Sequence, residues 1–100
     1  MNILLPLDCA NEDEAKLVEL DNVKSWAQIK VEDGKLKNIS FAEHKENFSD
    51  FSECVVVTND NEYVWPFMEL SMMVLVAHTQ KSIDEIVEAY LFKELHDLAY

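Results

Sequence analysis

The chain has one glycine, two prolines and two cysteines in 100 residues. It has no arginine: its eight basic residues are all lysines, against 20 carboxylates, for a net charge of -12. Each scarcity excludes something. A single glycine cannot build the glycine-rich loops that cradle phosphates. Cys9 and Cys54 are far apart in sequence. They form neither a CxxC pair nor a disulfide framework, and both are expected to be reduced. So acidic a chain repels phosphate backbones, and nucleic acid is not an expected partner. The longest apolar run, residues 72–77, is far short of the roughly 20 residues that span a bilayer. No basic residue precedes the opening "MNILLPL", so that stretch does not read as a leader. The expectation is a cytoplasmic protein with no membrane partner. No nucleophile elbow or HExxH motif is present, and the chain does not read as an enzyme.

What is present describes one α/β domain over residues 1–100. Hydrophobic residues make up 49% of the chain, enough for one packed core. "NILLPL" suits a central strand, although Pro6 lacks an N–H for a ladder. Residues 9–22 are acidic and aperiodic and read as a loop. "SWAQIKV" and "KLKNISFA" alternate with the period of strands. The Asp33-Gly34 pair between them is the favoured dipeptide of a tight hairpin turn. "CVVVT" is a buried strand, and residues 45–53 suit one turn of helix. A short helix is expected from Trp65, because Pro66 is tolerated only in a first turn. "MMVLVA" is the next strand. Ser82 and Glu85 form a capping box. The apolar stripe Ile83, Ile86, Val87, Tyr90, Leu91 and Leu95 then predicts a helix over 82–95. His96 is placed near the end of that helix, where a cation suits the dipole. The order is a strand, a β-hairpin and then β-α-β-α: a mixed five-stranded sheet with helices packed on it.

These segments, taken in order, resemble the dinitrogenase iron-molybdenum cofactor biosynthesis family, the NifX-like domains also found at the C-terminus of NifB proteins. "MNILLPLD" looks like that family's opening strand and "WAQIKVEDGKLKNI" like its hairpin. "CVVVTND" matches the strand before its ligand turn. "MMVLVAHTQKSIDEIVEAYLFKEL" is similar to its closing strand and helix. The resemblance implies a ribonuclease-H-like fold and a carrier role for an iron-sulfur or iron-molybdenum type cluster. Two of the family's features are replaced. Its His-Phe-Gly aligns with Glu19, Leu20 and Asp21, and its glycine-rich turn with Thr58, Asn59, Asp60, Asn61 and Glu62. The resemblance therefore implies a relative with an altered cofactor site, one that is not expected to hold the family's cofactor in the family's way.

In open α/β sheets, ligands sit beyond the carboxyl ends of the strands, near the switch in strand order. Cys9, His44, Asp60 and His78 fall at four such ends and are all metal-ligand types. They are the candidate metal site, and their competing reading is as ordinary polar loop residues. Cys54 begins its strand and reads as a buried structural thiol. Tyr63 and Trp65 belong to the aromatic- and methionine-rich "YVWPFMELSMM". They are either core or, if exposed, anchors for a protein partner. The acidity of the chain reads first as solubility, and its sharper reading is a basic partner protein. Three functions follow: a non-catalytic binding protein, a metal or cluster carrier using Cys9 and the histidines, or an interaction module without cofactor.

Overall fold

The computed structural model describes residues 1–98. It contains one mixed six-stranded sheet in the order β3-β2-β1-β4-β5-β6. β1 (Asn2–Leu7) lies at the centre. On one side it pairs antiparallel with β2 (Ser25–Glu32), which pairs antiparallel with β3 (Lys35–Ala42). On the other side it pairs parallel with β4 (Cys54–Val57), which runs parallel to β5 (Met73–Val76). Asp33 and Gly34 both take positive φ, 54° and 73°, as a tight hairpin turn of this type requires.

Side-chain alternation splits the core between the two faces of the sheet. Ile3, Leu5, Leu7, Ala27, Ile29, Cys54, Val56 and Leu75 face one way, into a cluster with Ile83, Ile86 and Val87 of α2 (Ile83–Leu91). Leu4, Trp26, Val55, Val57, Val74 and Val76 face the other, into a cluster with Phe67 of α1 (Trp65–Glu69). The central strands are therefore apolar on both faces, as parallel strands buried between helices must be. Gln28 is, with Ser25, a polar exception in the buried part of β2. It is buried, and its amide donates to the Asp50 carbonyl at 2.9 Å and to Ser52 Oγ at 2.7 Å, tying the 48–53 loop over the sheet.

α1 begins at Trp65, with Pro66 in its first turn as expected. α2 begins with the capping box: Ser82 Oγ accepts from the Glu85 N–H at 3.1 Å, and Glu85 accepts from the Ser82 N–H at 3.0 Å. The N–H groups of Ser82 and Lys81, with the Ser82 hydroxyl, hold the Glu85 carboxyl below its ordinary value of 4.5. A depressed folded-state value stabilises the protein above pH 4.5, and this contribution is lost as pH falls through the lowered value. Ser82→Ala should lower stability by about 1 kcal/mol at pH 7. Thermal melts at pH 7 and pH 3 should show the difference from wild type shrinking on the acid side.

The helix ends earlier than its apolar stripe suggests. Lys93 takes φ 58°, its N–H donates to the Tyr90 carbonyl at 3.1 Å, and the Glu94 N–H donates to the Ala89 carbonyl at 2.8 Å. This is the paired bonding of a Schellman stop, with lysine in place of the usual glycine. The reversal drops Leu95 against the core and sets His96–Asp97 antiparallel to β5 as β6. Two expectations are corrected: the sheet has six strands rather than five, and His96 lies in a strand rather than at the helix end.

Candidate functional site

The crevice of this sheet opens where the strand order switches, between β1 and β4. Pro6 supplies the local reason. β1 and β4 pair only at Ile3↔Cys54 and Leu4↔Val55. Beyond Leu4 the strand presents a proline with no N–H for a neighbour, and the Pro6 carbonyl accepts from Val18 N–H at 3.0 Å instead. The 16–18 segment wedges into that gap. Leu17 bridges to Leu7, and its N–H donates to the Lys81 carbonyl at 2.8 Å. What remains is an open crevice of about 410 Å³, lined by Leu17, Val18, Glu19, Asn22, Thr58, Asn59 and Lys81.

One side chain organises the wall of this crevice. Glu62 Oε2 accepts from the Thr58 N–H and from the Thr58 hydroxyl, each at 2.8 Å. Its other oxygen accepts from the Leu20 N–H. Asn59 braces the same turn, with Oδ1 accepting from Asn61 N–H at 2.9 Å. The stretches 19–21 and 58–62 are thus joined through one carboxylate. Sequence reasoning identified both stretches but not the bond, since Leu20 and Glu62 are 42 positions apart.

The four candidate metal ligands sit along the expected edge but do not gather. Strand ends along a sheet edge are spaced by about 4.8 Å per strand, and β2 and β1 separate β3 from β4. Cys9 is half-buried beside Lys24, Phe41 and Glu43. His44 and Asp60 are exposed, and His78 lies beside His96 with ring centroids 6.0 Å apart. Among the described residues, no three His, Cys, Asp or Glu side chains come together as a metal-holding group.

Cys54 is fully buried, and burial, aided by the nearby Asp97 and Glu53 carboxylates, pushes its thiol up to about 12. The thiolate is the reactive form. A thiol reagent at pH 8 should therefore label only Cys9 in the folded protein and both cysteines in denaturant, counted by intact mass. Two labels on the folded protein would show that Cys54 is reached by opening.

Tyr63 and Trp65, at the start of α1, are 73% and 54% exposed. These two aromatics are therefore on the surface rather than in the core, at the same end of the sheet as Glu62. Phe51 and Leu70 are also exposed, and both line a separate groove over α1.

Comparison with protein-family models gave no match, and comparison with curated proteins gave none either. Solved structures do match. The crystal structure of PH0822 superposes with a TM-score of 0.77 at 14% identity, covering 100% of this chain and 96% of that one. A "putative dinitrogenase" from Methanocaldococcus jannaschii superposes with a TM-score of 0.69 at 12% identity, covering 99% and 97%. The chain has the fold of these proteins over its whole described length. It is of the α/β class with one mixed sheet that the order of strands, hairpin and helices predicts, with six strands in place of five. No described helix is long and apolar enough to cross a membrane.

Proposed function

We propose that this chain is a non-catalytic binding protein related to the iron-molybdenum cofactor biosynthesis family. In this reading its work is done by protein contacts and not by the family's cofactor chemistry. The observation that carries it is Glu62. Its carboxylate takes the Thr58 N–H of the strand-end turn and the Leu20 N–H, and adds negative charge where an anionic metallocluster would have to approach. The exposed Tyr63 and Trp65 flank that turn and supply large, rigid anchors of the kind that dominate interfaces. With a net charge of -12, the expected partner is a basic protein. The fold shared with a "putative dinitrogenase" supports the family relation.

The experiment is a paired measurement on protein purified without oxygen from its native cells. Metal and sulfide content are measured beside a Cys9→Ser control, and copurifying proteins are compared with those of a Tyr63→Ser/Trp65→Ser variant. The reading expects no stoichiometric metal in either sample and loss of a partner from the aromatic variant. Stoichiometric metal that disappears in Cys9→Ser would replace it with a carrier function.

A further inference from the structure

We infer that the Leu20 and Thr58 donors beside the crevice form an oxyanion-binding site that the chain keeps occupied with its own Glu62 carboxylate. The donors come from two distant segments, the Leu20 N–H on one side and the Thr58 N–H and hydroxyl on the other. They converge on the two oxygens of one anion, as donors do around a bound carboxylate or phosphate group. A brace for the turn alone would not need the Leu20 donor, because Asn59 already closes the turn from within. Room for a ligand adjoins these donors: a crevice of about 410 Å³, lined by Thr58 and carrying both Lys81 and Glu19. Its position is also the one where open α/β sheets bind ligands.

The matching ligand is a small oxyanion group with at least two acceptor oxygens. It competes with Glu62 for the same three donors. Exchange would release residues 59–63 while Val64, 2% exposed, stays anchored in the core. Ligand binding therefore alters the presentation of Tyr63 beside Trp65. This coupling rests on the binding-protein reading above, whereas the oxyanion site itself does not.

The test is an NMR titration of wild type, Glu62→Ala and Glu62→Gln with sodium phosphate and, separately, sodium acetate. Ionic strength is held constant with sodium chloride. In Glu62→Ala, saturable shifts of the Leu20 and Thr58 amides are expected, with affinity at least about tenfold above wild type, equal to about 1.4 kcal/mol. Glu62→Gln, which keeps one acceptor oxygen, should fall between the two. Tighter binding of phosphate or of acetate would tell which oxyanion geometry the donors prefer, and either supports the site. A folded Glu62→Ala without saturable shifts at these two amides overturns it. If Glu62→Ala does not fold, the same absence in Glu62→Gln does so. Failure of partner capture in the previous experiment would leave this titration unaffected, so the two proposals fall separately.

Discussion

Replacing Leu5 with alanine should lower the unfolding free energy by about 3 kcal/mol, within the 2–5 kcal/mol typical of buried leucine truncation. Leu5 is fully buried in the central strand. It is paired with Ala27 of β2 and packed in the cluster that joins the sheet to α2. The β2 ladder holds one side of the strand and the bond from the Val18 N–H to the Pro6 carbonyl holds the other, so the backbone cannot close on the missing volume, and a cavity term adds to the lost transfer energy. Against a total of about 5–15 kcal/mol for a domain, this is a large fraction. Urea unfolding followed by tryptophan fluorescence measures it. A loss below about 1 kcal/mol would mean that the α2 face is loosely packed, contrary to the burial described above.

Glu62→Ala should have the next largest effect, a loss of about 1–3 kcal/mol, the range for stranding hydrogen-bonded donors. Three donors lose their acceptor at once. The figure sits well below three full charged hydrogen bonds because Glu62 is half-exposed and water can replace it. The effect should be local. Hydrogen exchange should accelerate at Leu20 and Thr58 while amides of β2, such as Ile29, keep their protection relative to global stability. A uniform change across the chain would mean that Glu62 supports the core rather than the crevice. Thr58→Val, which removes only the hydroxyl bond, should show a smaller loss of the same local kind.

The candidate site was legible in parts. The family resemblance drew attention to residues 19–21 and 58–62 as the altered positions. It could not show that Glu62 bonds to Leu20, because that contact depends on where the aperiodic 9–22 loop lies. The loop is placed by Pro6, whose missing N–H ends the β1–β4 ladder and admits Val18. Likewise, strand direction correctly put Cys9, His44, Asp60 and His78 at one edge. Grouping them needed strand order and side-chain placement: the order β3-β2-β1-β4-β5-β6 sets His44 apart, and Cys9, Asp60 and His78, though they follow adjacent strands, form no metal-holding group among the described residues.

By itself the sequence determined the local elements, because each rests on short-range physics. Asp33-Gly34 makes the hairpin through positive φ, Pro66 starts α1, and the Ser82–Glu85 box starts α2. Alternating and continuous apolar runs distinguish the hairpin from the buried strands. The end of α2 was decided only in three dimensions. Leu91 and Leu95 continue the helical stripe, and no glycine announces the reversal at Lys93. The chain turns there because Leu95 can pack on the core while His96–Asp97 complete the edge of β5. The exposure of Tyr63 and Trp65 was decided the same way. Val64 and Phe67 fill the space beneath α1, leaving the two aromatics outside. Local propensity names the elements, but which of two apolar neighbours is buried depends on the volume the rest of the fold has already filled.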